Sequence, residues 1–304
     1  MIDFRFHLIS IIAVLLALSI GIVTGSGFLG GRLLQEVRSA ARRVSDRNQA
    51  LRLQNAEITE RADAAEAALE ALEPGLVDGA LVARRVLMIE FEGSDDNASI
   101  EVRAAMEEAG AQVVGIIRLR NTLVLDDPSA RAELASMLGS SSSQPEELRL
   151  TLADTLGREL NAAARHPGDQ AALADFLAGL QRNGLVAAEN LPEVVPSETD
   201  FVISGGAVAD PAWPVADFTV ALSERLAARA TGVVAIEPAQ STWDVTGAVR
   251  RDGVTRTVVW TIDNSDTVLG RMASVLVLEQ IENRPADHFG TAPGASAVVP
   301  SPAP

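Results

Sequence analysis

The chain has 304 residues, of which 41 are acidic and 25 are basic, giving a formal net charge of −16. A protein this acidic repels the phosphate backbone of nucleic acids, so DNA and RNA are excluded as expected partners. Cysteine is absent, which excludes disulfide bonds, thiolate metal ligands and a cysteine nucleophile.

The first predicted element is a membrane-spanning helix over residues 8–31, which follows a short N-terminal segment over residues 1–7. Residues 8–31 contain no charged residue, and a helix of this length can cross a hydrocarbon core roughly 30 Å thick. Residues 25–30 spell the G-x-G-x-x-G of dinucleotide-binding turns, but the short strand and the βαβ unit that this motif requires are missing. A cleaved signal peptide is the alternative, although its apolar region would be shorter.

Small residues recur at every fourth position of this helix, at Ala13, Ala17, Gly21 and Gly25. A repeat of this kind lets two helix backbones approach closely in lipid. We therefore expect these four residues to form a packing face within the membrane. The alternative is a chance repeat, because Ala and Gly are common in membrane helices.

Residues 32–73 are predicted to form a coiled-coil stalk, because apolar residues repeat there every seven positions. The d positions are wholly apolar, whereas the a positions include two Asn, which favour one register and often a two-stranded coil. The predicted interaction residues are Leu34, Val37, Val44, Asn48, Leu51, Asn55, Ile58, Leu69 and Leu72. Pro74-Gly75 is expected to end the helix. The partner is a second copy or another protein; the alternative is a single amphipathic helix folded back on the domain.

Residues 81–290 are predicted to form a Rossmann-like α/β domain. Short apolar runs alternate with helical patterns, which is typical of a mostly parallel sheet covered by helices on both faces. The runs predicted to be strands are residues 86–91, 112–118, 201–204, 233–236 and 258–262. A helical insertion is expected around residues 140–190. The tail, residues 291–304, is rich in Pro and small residues and is expected to be disordered.

Acidic residues follow several of the predicted strands, at Asp95, Asp96, Glu237 and Asp263. Ligands of open α/β sheets bind at the carboxyl ends of strands, so these residues form a possible ligand rim suited to a cation or a basic peptide. The alternative is a solvated loop edge. The sequence offers no nucleophile elbow or P-loop, and its His and Met residues are scattered. We therefore expect no catalytic site, no cofactor site and no metal site.

The chain resembles the mycobacterial copper transport protein B family, whose members combine an apolar N-terminal helix, a coiled-coil stretch and an α/β domain. The opening residues that carry the resemblance are Met1, Ile2, Asp3, Phe4, Arg5, His7 and Ser10. Further matches are VWTID at 259–263, the pair Gly270-Arg271 and an altered closing element at 287–290. The resemblance implies an actinobacterial envelope protein, and the family name implies copper efflux or copper homeostasis.

Some members of this family resemble cell-division factors that dock and activate peptidoglycan hydrolases. The functional hypothesis is therefore a non-catalytic scaffold that acts through its stalk, as a homodimer or with an envelope partner such as a cell-wall hydrolase. The alternative is a copper efflux or homeostasis protein; copper itself is implied only by the resemblance.

The predicted location is the plasma membrane, crossed once. Arginines that follow the apolar helix, such as Arg32, Arg38 and Arg42, favour a cytoplasmic stalk by the positive-inside rule. The resemblance instead implies that the stalk and domain face the cell envelope, and long domains are exported despite flanking charge. An exported domain is the prediction.

Overall fold

The computed structural model describes residues 4–165, 170–190, 195, 197–228 and 232–301, with residues 4 and 26–34 described as backbone alone. The chain forms two compact units, Met1–Ala67 and Ala68–Pro304.

The helix α1 runs from Phe4 to Val77 and contains both the predicted membrane helix and the predicted stalk. Its segment Arg5–Gly25 is long and apolar enough to cross a membrane by length and composition. The helix continues past the predicted end at Pro74-Gly75. The Asp78 N–H still donates to the Pro74 carbonyl (3.1 Å), and the buried Val77 holds this last turn against the domain.

The described residues of the domain contain seven strands and seven helices, in the order βαβ, three helices, then β, β and alternating α and β elements. The strands are β1 (Arg85–Phe91), β2 (Gln112–Leu119), β3 (Val186–Glu189), β4 (Thr199–Ser204), β5 (Val233–Ile236), β6 (Trp260–Ile262) and β7 (His288–Phe289). The helices are α2 (Asp96–Glu108), α3 (Pro128–Leu138), α4 (Pro145–Ala163), α5 (Gln170–Arg182), α6 (Val215–Ala227), α7 (Val245–Arg251) and α8 (Val268–Gln280). Short 3₁₀ helices lie at Asn121–Val124 and Thr255–Thr257.

The strands form one sheet in the order β3-β2-β1-β4-β5-β6-β7. All neighbouring strands are parallel except β3, which pairs antiparallel to β2 at one edge. The predicted mostly parallel α/β sheet is therefore confirmed. The region predicted to be a helical insertion contains α4 and α5 and also the edge strand β3, which is not among the predicted strands.

Side chains of β1 alternate between two hydrophobic cores, as expected for a strand covered on both faces. Leu87 and Ile89 contribute to a cluster with α4, α5, α6 and α7. Val86 and Met88 contribute to a second cluster with α2 and α8. Both faces of the sheet are covered, which leaves the strand ends as the accessible parts.

Residues 291–301 are placed against the domain, in contrast to their predicted disorder. The Gly290 N–H donates to the Ala297 carbonyl (2.9 Å), and Val299 packs against the second core cluster. A segment of small residues and Pro cannot build a core of its own, but it can cover the edge of an existing sheet. Residues 302–304 of the predicted tail lie outside the described residues.

Candidate functional site

The stalk carries an exposed apolar stripe, formed by Val37, Val44, Leu51 and Ile58. These d positions are between 49% and 64% exposed, and every side chain from residue 35 to residue 67 is exposed. An apolar stripe repeated at seven-residue spacing matches the contact seam of a coiled coil. Within the described residues, the stripe is exposed, so it is a candidate contact surface.

The other predicted stalk residues fall into different surroundings. Asn48 and Asn55 are exposed beside the stripe, and Leu72 is exposed as well. Leu69 is half-buried against the second core cluster of the domain, because α1 is already docked there. The side chain of Leu34 lies outside the described residues.

The four small residues of the predicted membrane face, Ala13, Ala17, Gly21 and Gly25, are all exposed. A Cβ atom built at Gly21 or Gly25 would meet nothing within 4 Å. The face is therefore open, and close packing of a second helix against it stays a prediction.

The predicted ligand rim begins at the sheet's topological switch point, between the carboxyl ends of β1 and β4. Asp95 lies there but serves as the N-cap of α2, because its Oδ1 accepts the N–H groups of Asn97 (3.0 Å) and Ala98 (3.3 Å). Asp96 is exposed and lies 3.9 Å from the guanidinium of Arg118. Neither carboxylate points to a built ligand site.

The crevice beside these residues is filled by the protein's own side chains. A Cβ atom at Gly205, directly after β4, would lie 2.8 Å from the Phe91 ring. Phe91 makes edge-on contacts with Trp213, Phe218 and Trp243, at centroid distances of 5.7, 6.1 and 6.5 Å. The place where doubly wound folds commonly bind nucleotides is therefore occupied by an aromatic cluster.

Glu237 follows β5 and binds the first turn of α7. Its Oε2 accepts the backbone N–H (2.9 Å) and the hydroxyl (2.8 Å) of Thr246. Its other oxygen, Oε1, is buried without a hydrogen-bond partner in the described chain. Glu237 thus fixes α7 against the sheet and leaves one acceptor unused.

Asp263 follows β6 and forms a buried ion pair with Arg250 of α7. The Asp263 Oδ2 to Arg250 Nη1 distance is 2.6 Å, and each side chain is only 4% exposed. Asp263 Oδ1 also accepts the N–H groups of Thr291 (2.6 Å) and Ala292 (2.9 Å). This carboxylate therefore connects α7 and the C-terminal segment to the sheet.

Glu237 and Asp263 both line a cleft of about 260 Å³ at the ends of β5 and β6. Arg250 neutralises Asp263 there, and the exposed Arg251 pairs with Asp244. Among the described residues, no group of three or more His, Cys, Asp or Glu side chains is arranged to hold a metal ion. The rim residues thus lie at one edge of the sheet, but most of their carboxylates form hydrogen bonds or ion pairs with other residues of the domain.

Arg271, the second residue of the Gly270-Arg271 pair, connects three helices. Its guanidinium contacts Glu101 of α2 (2.7 Å) and Glu73 at the end of α1 (3.4 Å). Gly270 allows α8 to begin close to the sheet, since a Cβ atom there would overlap the Asn264 carbonyl oxygen at 1.8 Å. Only the tertiary fold reveals that this pair links α1, α2 and α8.

The sequence of this chain matches a known protein family along nearly its whole length. A sequence model of the family described as copper transport outer membrane protein, MctB, matches residues 1–300. The chain is 27% identical to a protein named copper transporter MctB from Mycobacterium tuberculosis strain H37Rv, over 99% of this chain and 100% of the relative. A protein of the same name from Mycobacterium leprae is 27% identical over 98% of this chain and 99% of the relative.

Proposed function

We propose that this chain, which belongs to the family described as copper transport outer membrane protein, MctB, acts in copper homeostasis at the cell envelope. The observation that carries the proposal is the family match over residues 1–300, which includes the apolar helix, the stalk and the domain together. Copper is then the cargo that the system handles. The alternative function raised by the sequence is thereby favoured over the cell-division hypothesis.

The structural features support an assembly role in copper handling. The described chain has one helix that is apolar and long enough to cross a membrane, and one such helix cannot enclose a pore by itself. No group of three or more His, Cys, Asp or Glu side chains among the described residues is arranged to hold a metal ion, and Cys is absent. We therefore propose that the chain contributes to copper homeostasis by assembling with other chains at the membrane.

The exposed stripe of the stalk is the surface proposed for this assembly. Its d positions are apolar and exposed at every heptad from Val37 to Ile58, and Asn48 and Asn55 lie at a positions. Paired Asn layers suit a parallel two-stranded coil in one register, so we propose a homodimer. The small residues at Ala13, Ala17, Gly21 and Gly25 would continue the contact within the membrane.

A deletion strain tests the copper proposal. We expect it to accumulate copper and to become sensitive to added copper, and the parent gene to restore both properties. A Leu51→Glu/Ile58→Glu variant should fail to restore them, because two charges enter the apolar seam. Leu53→Glu is the matched control: Leu53 is exposed at the outer f position, so this variant should complement. Normal copper content in the deletion strain would overturn the proposal.

A second candidate function is a scaffold that docks a cell-wall hydrolase during division, through the same stalk. The observation that favours it is the stripe itself, because an exposed apolar seam suits a partner's helix as well as a second copy. Deletion would then produce chained, poorly separated cells with normal copper content. Single cells with raised copper content would reject this candidate.

The orientation of the domain is also part of the proposal: we place it on the envelope side of the plasma membrane. The N-terminal apolar helix supports membrane anchoring, and the family description names an outer membrane protein, which is a component of the cell envelope. A phosphatase fused after residue 301, active only when exported, should be active. An inactive phosphatase with an active cytoplasmic reporter at the same site would reverse the orientation.

A further inference from the structure

We propose that a cleft between α4 and α6 binds a small oxyanion, a phosphate or carboxylate group. The cleft has a volume of about 260 Å³ and is lined by Asp154, Arg158, Asn161, Arg165 and Arg225. We call it the arginine cleft. Three guanidinium groups and one carboxylate in a single cleft are unexpected in a protein whose net charge is −16.

The spacing of the residues on α4 places them along one side of the helix. Asp154, Arg158 and Asn161 are separated by four and three positions, so they follow one another on the same face of α4, and Arg165 lies in the turn just after the helix ends. Arg225 enters from the last turn of α6. The two sides of the cleft therefore come from helices that are far apart in sequence.

The two helices approach closely because α4 has a glycine at the contact. A Cβ atom at Gly157 would lie 2.7 Å from the Arg225 Cβ and 3.1 Å from the Leu222 carbonyl oxygen. Asn161, which is buried, adds a polar connection, since its Nδ2 donates to the carbonyls of Arg225 (3.3 Å) and Leu226 (2.6 Å). These contacts between α4 and α6 hold Arg225 beside Arg158.

The hydrogen bonds leave guanidinium donors available. Asp154 is shared, because it accepts from the Arg225 Nε and from the Arg158 Nη1 (3.3 Å). Glu159 lies on the flank, 3.7 Å from the Arg158 Nε. Arg165 donates its Nε to the Asn161 carbonyl (3.2 Å), and no carboxylate of the described chain pairs with it.

The charge balance identifies the ligand class. Three arginines against Asp154 and Glu159 leave a net positive charge in the cleft, so it favours an anion. Planar guanidinium groups match the paired oxygens of carboxylates and phosphates, and their charge-assisted hydrogen bonds are stronger than neutral ones. Asp154 aligns two of the guanidinium groups, which reduces the ordering that binding would otherwise require.

Calorimetric titration of the full chain in detergent micelles tests this proposal, with inorganic phosphate and succinate as separate probes at low ionic strength. We expect saturable binding of at least one probe, weakened by added chloride salt because the cleft is open to solvent. Tighter binding of phosphate would identify a phosphate-bearing ligand, and tighter binding of succinate a carboxylate-bearing one. Failure of both probes to bind would overturn the proposal.

Matched variants assign the binding to the cleft. Arg165→Ala should weaken it about tenfold, as expected for the loss of one charge-assisted hydrogen bond, and Arg158→Gln should also weaken it. Arg182→Ala removes the same charge from an exposed position on α5 and should leave the affinity unchanged. Unchanged melting temperatures would show that the variants are folded. An equal loss in Arg182→Ala, or no loss in Arg165→Ala and Arg158→Gln, would overturn the assignment.

Discussion

The stalk leaves Leu51 and Ile58 about half exposed, whereas the domain buries Leu87 and Ile89 of β1 completely. The side chains are of the same types, so the difference lies in their spacing. A period of two residues on a strand directs apolar groups towards elements of the same chain, and both sheet faces are covered. A period of seven on one helix creates a seam that a single chain cannot cover. The domain thus buries its apolar side chains within its own fold, whereas the stalk stripe is exposed and is proposed to contact a partner.

Loss of the buried ion pair between Arg250 and Asp263 should have the largest effect on the stability of the domain. Arg250→Leu leaves Asp263 buried without its cation, which should lower the free energy of unfolding by about 3–5 kcal/mol. Chemical unfolding of the full chain in detergent, followed by Trp fluorescence, measures this. All three tryptophans, Trp213, Trp243 and Trp260, are buried in the domain, so the signal reports on that unit.

The neighbouring arginine supplies the control for this variant. Arg251 is 65% exposed and pairs with Asp244 at the surface, where an ion pair contributes at most about 1 kcal/mol. Arg251→Leu should therefore change stability little. Equal losses in the two variants would mean that the Arg250 pair is not what holds α7 and the C-terminal segment.

Substitution of Asp200 of β4 should have the second largest effect, and it should raise the free energy of unfolding instead of lowering it. Burial raises the pKa of Asp200 to about 6, although Arg84 partly opposes the shift. The folded state therefore holds this proton more tightly than the unfolded state does, so this group lowers stability as pH rises from about 4 to 6. Asp200→Asn should raise the free energy of unfolding by up to about 3 kcal/mol at pH 8.

Unfolding of parent and variant at two pH values tests this linkage. The difference between Asp200→Asn and the parent should be large at pH 8 and should nearly vanish near pH 3, where Asp200 is mostly protonated in both states. A difference that is constant with pH would show that Asn acts by packing instead of by removing a buried charge.

Asp252, directly after α7, should have a smaller effect, and its ionised form stabilises the folded state. Hydrogen bonds from the Thr255 and Val254 N–H groups lower the pKa of Asp252, at distances of 2.8 and 3.0 Å. The stabilisation is present above the ordinary pKa of Asp and is lost as pH falls through the lowered one. Asp252→Ala should cost about 1 kcal/mol near neutral pH, the usual contribution of a hydrogen bond, and Asp252→Asn should cost less. An Ala variant as stable as the parent would contradict this role of the Asp252 carboxylate.

Elements with many buried residues could be predicted from the sequence, and edge elements could not. The runs at β1, β2, β4 and β5 are short and apolar, and the structure confirms them. β3 and β7 have only four and two residues, and pairing with a neighbour makes them strands. α7 has seven residues, too few for a helical period to be evident.

The candidate sites show the same limit. Glu237 and Asp263 lie at one edge of the sheet because each follows a strand, and those strands could be recognised from the sequence. Their partners, Thr246 and Arg250, lie on α7, which was not predicted, so the use of these carboxylates within the fold could not be anticipated. The arginine cleft was missed for a related reason: Arg225 meets Arg158 only when α4 and α6 pack together.

Substitutions in the stalk should have the smallest effect on the free energy of unfolding of the domain. Leu51→Glu/Ile58→Glu should leave the Trp-detected unfolding free energy within about 0.5 kcal/mol of the parent, as for other exposed positions. The same variant should reduce the mass measured by light scattering in detergent from that of a dimer to that of one chain. Leu53→Glu, at the outer f position, should change neither quantity. A loss of domain stability without a change in mass would mean that the stripe packs on its own domain, and that the seam is internal.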